Sequence, residues 1–257
     1  MKRVIILNLQ RFVKQSALNL FQQGSITCVY HGHILEDFEP GMFAAAYWQK
    51  KQAVLGSATG RGTTYFVEHQ GGQFVLRHYY RGGMVGKFIN DRYFYTGMMN
   101  TRAVKEFQLL MHLRELKLPA PEPIGFAVHR HGLTYSADIL TGLIHNARDL
   151  VGCLQEKPLT AEQWQNIGAT IYEFHRYGIF HHDLNCHNIM LDNAGKVWLI
   201  DFDQGKVEAP LGSWCQQNLD RLLRSFRKEL DRLHGFQWQE SDWQALMSGY
   251  QRLETER

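Results

Sequence analysis

His181-His182-Asp183-Leu184-Asn185-Cys186-His187-Asn188, followed closely by Leu199-Ile200-Asp201-Phe202-Asp203, decides how this chain is read. Asp183 precedes Asn188 by five positions and Asp201 by eighteen, so a carboxylate, an amide and a second carboxylate recur at short, defined intervals. Between them, Asn188-Ile189-Met190-Leu191 and Lys196-Val197-Trp198-Leu199-Ile200 are apolar runs split by Asp192-Asn193-Ala194-Gly195. That composition predicts a hairpin, because Asp, Asn and Gly tolerate the tight backbone a turn needs. Asn188 then opens one strand and Asp201 closes its partner. A carboxylate that can orient a hydroxyl and take its proton, beside oxygen donors for a divalent cation, is equipment for phosphoryl transfer.

The intervals are those of a protein-kinase-like site, so the upstream half should hold a nucleotide cover. Gly56-Ser57-Ala58-Thr59-Gly60-Arg61-Gly62-Thr63-Thr64-Tyr65 fits that role, since its glycines let backbone N–H groups approach phosphates closely. It is not a Walker A loop, because no Gly-Lys-Ser/Thr follows. Gly60, Arg61, Gly62 and Thr63 are the candidate contacts. In the next run, Val75-Leu76-Arg77-His78-Tyr79, arginine stands where a protein kinase carries lysine. A guanidinium can hold phosphate or carboxylate through two parallel bonds. Glu106 is the expected partner of Arg77, on a helix whose apolar residues fall at 103, 107, 110 and 113. Nucleotide chemistry of this kind calls for ATP and Mg²⁺ as cofactors.

Charge is concentrated locally. The 257-residue chain carries a formal charge of only +3, yet residues 61–105 hold seven Lys or Arg against two Asp or Glu. Arg81, Lys87 and Arg92 sit among glycines and large apolar residues, a layout suited to an anionic acceptor or an anionic membrane surface. No recognisable nucleic-acid module accompanies the patch, which argues against nucleic acid as the partner.

With 44% hydrophobic and 12% aromatic residues the chain can bury a substantial core. The four cysteines, at 28, 153, 186 and 215, form neither a disulfide framework nor a CxxC zinc pair. Met1–Gln10 meets Asn8 and Gln10 too early for a signal sequence. The apolar run from Met42 to Trp48 is far shorter than the roughly twenty residues that span a bilayer. Pro119, Pro121 and Pro123 mark a boundary, giving an N-terminal nucleotide-covering lobe at 1–118 and a C-terminal catalytic lobe at 119–257. Strand-like runs at 124–128 and 133–139 follow, then a capped helix start at Thr160-Ala161-Glu162-Gln163. The expected fold is α+β: two-lobed and protein-kinase-like, small and mainly β first, compact and mainly α second. Near the C-terminus Leu219, Leu222, Leu223, Phe226 and Leu230 form an apolar helix stripe, with Arg221, Arg224, Arg227 and Lys228 on its outer face. Only 56 residues follow Asp201, with no Ala-Pro-Glu segment, so a compact acceptor such as a sugar is expected rather than a protein substrate.

Several blocks together carry a more specific likeness: Gly60-Arg61-Gly62-Thr63-Thr64-Tyr65, Val75-Leu76-Arg77-His78-Tyr79-Tyr80-Arg81-Gly82-Gly83, Asp91-Arg92-Tyr93, His182-Asp183-Leu184-Asn185 and Ile200-Asp201-Phe202-Asp203-Gln204-Gly205. The chain resembles the 3-deoxy-D-manno-octulosonic acid (Kdo) kinase family of Gram-negative lipopolysaccharide synthesis. The resemblance implies ATP-dependent phosphorylation of the 4-hydroxyl of Kdo on a lipid A precursor. It also implies a peripheral enzyme at the cytoplasmic face of the inner membrane. Asp183 carries over as the catalytic acidic residue, Asn188 and Asp201 as metal-binding positions, and the Gly60 to Thr64 block as the phosphate cover. Arg81, Lys87 and Arg92 would meet the anionic, lipid-linked Kdo acceptor. Measured against protein kinases, this chain has Arg77 for lysine, no arginine between His182 and Asp183, and Asp203 for glycine after Asp-Phe. A lipopolysaccharide heptose kinase and a non-catalytic kinase-like lipopolysaccharide-binding protein are the alternatives.

Overall fold

The computed structural model describes residues 2–59, 62–81 and 91–255. The chain forms two compact units, Met1–Met111 with Glu122–Leu143, and His112–Pro121 with Ile144–Arg257. The architecture is α+β, with strands concentrated in the first unit and helices in the second.

The first unit contains α1 (Lys2–Gln15), β1 (Asn19–Gln23), β2 (Ile26–Tyr30), α2 (Ala45–Lys50), β3 (Val54–Thr59), β4 (Thr63–His69), β5 (Gly72–His78), β6 (Tyr93–Phe94), most of α3 (Arg102–Glu115), β7 (Pro123–His131) and β8 (Thr134–Gly142). Its antiparallel sheet runs β1-β2-β7-β8-β5-β4-β3, with β6 paired to β8. The two strand-like runs after the prolines thus become β7 and β8, turned about Gly132 at φ 62°, and both belong to this sheet. Alternation along β5 buries Phe74 and Leu76 on one face, and the same two-residue period places Arg77 and Tyr79 together on the other. Phe74 and Leu76 join Met42, Phe43, Trp48, Val67, Ile124 and Leu140 in one core. The apolar run Met42–Trp48 is therefore packing material, and the Trp48 Nε1–H donates to the Met42 carbonyl at 2.7 Å. No helix among the described residues is long and apolar enough to cross a membrane.

The second unit contains β9 (Ala147–Asp149), α4 (Leu150–Glu156), α5 (Ala161–Arg176), β10 (Ile179–Phe180), β11 (Ile189–Asp192), β12 (Val197–Leu199), β13 (Lys206–Val207), α6 (Trp214–Arg232) and α7 (Glu240–Thr255). The start of α5 is a reciprocal cap. Gln163 N–H donates to Thr160 Oγ1 at 3.2 Å, while the Gln163 side chain accepts from Thr160 N–H at 2.9 Å. Helices α5 and α7 approach closely enough that a Cβ at Gly168 would lie 1.9 Å from Leu246 O. The buried face of α6 differs from the expected stripe. Leu230 is 42% exposed, whereas Asn218 and Glu229 are buried beside Leu219, Leu222 and Phe226. Glu229 can occupy that position because Arg232 and His187 offset its charge.

Candidate active site

The hairpin forms where the sequence places it. Strands β11 and β12 pair Ile189 with Leu199, Met190 with Trp198 and Leu191 with Val197. Asp192 Oδ1 accepts from the N–H groups of Ala194 and Lys196, its Oδ2 accepts from Trp198 Nε1, and Gly195 takes φ 79°. A further bond from Ile200 N–H to Asn188 O, 3.0 Å, extends the ladder to the two functional ends. Asn188 consequently faces the residue that precedes Asp201.

The loop between β10 and β11 is held from several sides. Asn188 is 9% exposed, and its Nδ2 donates to the Asp183 carbonyl at 2.9 Å. Asn185 Nδ2 donates to the same carbonyl at 3.0 Å. With its nitrogen so committed, the Asn188 side chain has its amide oxygen as the atom able to accept a cation. His181 is buried and links the two motifs. Its Nδ1 accepts from Asp183 N–H at 3.2 Å, so Nε2 carries the proton and donates to Ile200 O at 2.9 Å. Burial pushes the His181 imidazole below its ordinary pKa, which keeps this neutral arrangement. The ring also packs against Phe202, at 4.8 Å between centroids, and Phe202 stacks on Phe174. That anchored aromatic fixes the residue after Asp201, whose own φ of 60° is a left-handed conformation uncommon outside glycine. His187 lies between Asp149 and Glu229, and its hydrogen bond with Asp149 holds its pKa above the usual imidazole value.

Helix α6 supplies the contacts that local sequence did not announce. Asn218 brackets the His181 backbone, its Oδ1 accepting from His181 N–H at 3.2 Å and its Nδ2 donating to His181 O at 3.0 Å. Ser225 Oγ accepts from Cys186 N–H at 3.0 Å. Arg221, expected only as outer-face charge, reaches Asp183, with Nη1 2.7 Å from Oδ1. These three residues recur at i, i+3 and i+7, one face of a helix. A buried asparagine on an otherwise apolar stripe is the signal in the sequence that could have found them.

In the first unit the expected Arg77–Glu106 ion pair is present, with Nη2 2.5 Å from Oε1. Glu106 is 3% exposed, and its other oxygen accepts from the Tyr79 hydroxyl at 2.7 Å. Tyr79 was missed by reasoning from sequence, although its position two residues beyond Arg77 places it on the same strand face. Arg77 also stacks over the Tyr79 ring at 5.0 Å. Both oxygens of the buried carboxylate therefore have partners, and Arg77 is held in one pose with its side chain 24% exposed.

Thr63 opens β4 and pairs with Thr59 across the β3–β4 hairpin. A Cβ at Gly62 would lie 2.1 Å from the Tyr80 ring, so a side chain there would have to displace that ring. Gly60, Arg61 and Lys87 lie outside the described residues. Arg81 rests over the Tyr93 ring at 5.4 Å, and Arg92 Nε lies 3.4 Å from Asp91 Oδ1.

The constellation in the second unit offers a carboxylate, a neighbouring amide oxygen and a second carboxylate, fixed on one loop and one strand end. Hard oxygen donors of this number fit Mg²⁺, which takes one or two protein ligands and completes its shell with water and substrate phosphate. The lipopolysaccharide kinase (Kdo/WaaP) family matches residues 45–250. The chain belongs to this family. Membership of the Kdo/WaaP family makes it a kinase with a protein-kinase-like fold. Among its relatives, the 3-deoxy-D-manno-octulosonic acid kinase of Vibrio parahaemolyticus serotype O3:K6 is 47% identical over 213 residues, covering 83% of this chain and 89% of that protein. That of Vibrio cholerae serotype O1 is 48% identical over 208 residues, 81% of this chain and 87% of its own length. Among solved structures, the Cydia pomonella granulovirus kinase PK-1 has TM-score 0.43 and 14% identity, covering 64% of this chain and 57% of that one.

Proposed function

We propose that this Kdo/WaaP kinase transfers the γ-phosphoryl group of ATP to the 4-hydroxyl of a Kdo residue on a lipid A precursor. The observation that carries the reading is the single network, through His181 and Asn188, that joins Asp183 to the residue before Asp201. The choice of Kdo is supported by the names of relatives that align with nearly their full length.

Asp183 orients the acceptor hydroxyl and takes its proton as the new P–O bond forms and the γ-phosphorus bond to the departing ADP breaks. Asn188 and Asp201 would hold Mg²⁺, which when bound offsets the charge of the nucleotide phosphates. Arg77, braced by Glu106 and Tyr79, binds nucleotide phosphate. Gly60, Arg61, Gly62 and Thr63 would cover the phosphates. The nucleotide cover falls to the first unit, Met1–Met111 with Glu122–Leu143, and the catalytic groups to the second. Arg81, Lys87 and Arg92 attract the acidic acceptor and an anionic bilayer surface. The enzyme works as a peripheral protein at the cytoplasmic face of the inner membrane. The test is an assay with ATP, Mg²⁺ and separate Kdo-bearing and heptose-bearing acceptors, with the phosphorylated carbon located by NMR. Transfer to the heptose acceptor alone would overturn the reading, and phosphate on another Kdo carbon would overturn the 4-hydroxyl.

A further inference from the structure

The basic residues of α6 divide into two groups. Arg227 is held by Glu240 through two bonds of 2.8 and 3.0 Å, and Arg232 is held by Glu229 at 2.5 to 2.7 Å. Their charge is neutralised within the fold. Arg221, Arg224 and Lys228 behave differently: all three are exposed, and they recur at i, i+3 and i+7, which aligns them along one side of the helix. Among the described residues, Arg224 and Lys228 have no acidic partner. Of the acids on this helix, Asp220 accepts from Gln216 at 2.7 Å, and Asp231 follows Lys228 by three residues. From Arg221 to Lys228 the ridge runs about 10 Å along the helix axis. Its first member is already at the reacting end, because Arg221 Nη1 lies 2.7 Å from Asp183 Oδ1.

The Arg221–Asp183 contact is itself open to water, with side-chain exposures of 45% and 32%. A pair so exposed is weak, so an incoming anion can compete for the guanidinium without a large cost. A ridge of cations that begins on the candidate catalytic carboxylate suits an acceptor with its own acidic group beside the reacting hydroxyl. An octulosonic acid has that chemistry.

We infer that Arg221, Arg224 and Lys228 form an acceptor-reading ridge for the carboxylate of the acidic sugar, with Arg221 exchanging Asp183 for the acceptor when it binds. The inference rests on the Kdo-acceptor reading above and assigns it a binding surface on α6. The ridge lies in the second unit, whereas Arg81 and Arg92 belong to the first. Arginine and lysine mix along it, consistent with charge attraction at its far end and bidentate recognition near the reacting group.

The experiment compares the full-length protein with R224Q/K228Q and with R224K/K228R, which retains both charges. The acceptors are a deacylated, water-soluble Kdo oligosaccharide and the same sugar on lipid A in vesicles of neutral phospholipid. R224Q/K228Q should raise KM for the soluble acceptor about tenfold at low ionic strength, with KM for ATP unmoved and the increase shrinking as salt is added. The charge-retaining variant should restore most of the loss. An unchanged KM for the soluble acceptor overturns the ridge while leaving the Kdo reading intact. A defect seen only with vesicles also overturns it, because the partner is then the lipid surface. Failure of the wild type to phosphorylate either Kdo acceptor sinks the functional reading first, and the ridge's ligand with it. That failure appears before any variant is made, so the two are distinguishable.

Discussion

His181→Phe separates the loop's geometry from its packing. Phenylalanine preserves the buried ring and its contact with Phe202, but removes the acceptor for Asp183 N–H and the donor to Ile200 O. Each buried polar group left without a partner costs about 1–3 kcal/mol, which bounds the loss at about 2–6 kcal/mol. Both bonds are only partly buried, so water can recover some of this, and a loss of about 2–3 kcal/mol is expected. Domains of this kind carry about 5–15 kcal/mol, so the variant should fold. Its activity should suffer more than its stability. Asp183 loses one of the bonds that hold its backbone, the others being those of Asn185 and Asn188 to its carbonyl, and a misplacement of about 1 Å can lower a rate about a hundredfold. The measurements are kcat at saturating ATP and acceptor, and the urea midpoint followed by tryptophan fluorescence. A variant with wild-type kcat would refute the claim that His181 positions Asp183. A lowered midpoint with unchanged kcat would leave His181 a role in folding alone.

Asp183→Asn should fold normally and lose about a hundred- to ten-thousand-fold in kcat, since an amide cannot take the hydroxyl proton; near-normal turnover with native circular dichroism would remove Asp183 from the chemistry. Arg77→Lys should weaken ATP binding despite its retained charge, because an ammonium cannot reach both the nucleotide and a carboxylate already shared with Tyr79. In a double-mutant cycle with Glu106→Gln, strictly additive effects on kcat/KM would show that the pair does not act together. His175 provides a pH test: it is buried against the Tyr250 hydroxyl at 2.8 Å, and burial lowers its pKa to about 4. The unfolded chain therefore takes up a proton near pH 6.5 that the folded chain refuses. Stability should fall by about 3 kcal/mol as pH drops from about 6.5 to about 4. Urea midpoints across that range should flatten in His175→Phe, and an unaltered slope would count against His175 as its source.

The parts of this protein legible in its sequence are those governed by near neighbours. The Asp192 to Gly195 turn sets the register of β11 against β12, and that register alone brings Asn188 opposite Ile200. The capped start of α5 and the apolar spacing of α3 are likewise local, decided by hydrogen bonds and side-chain periods within a few residues. The Arg77–Glu106 pair could be anticipated because each residue sits on an element with a clear period. Other features depend on which distant surfaces meet. Asn218, Arg221 and Ser225 act on a loop more than thirty positions upstream. The entropy of closing such a loop varies only slowly with length, so separation along the chain does not mark the partners. The same holds for β7 and β8, which follow the prolines in sequence yet pair with β2 and β5 in the first unit's sheet. Leu230 and Glu229 exchange their expected burial because Arg232 and His187 stand close enough to offset a buried carboxylate. Spacing along the chain determined the order of the candidate reacting groups. Tertiary packing decided which side chains hold them still, because a buried polar group is stable only where another element supplies its partner.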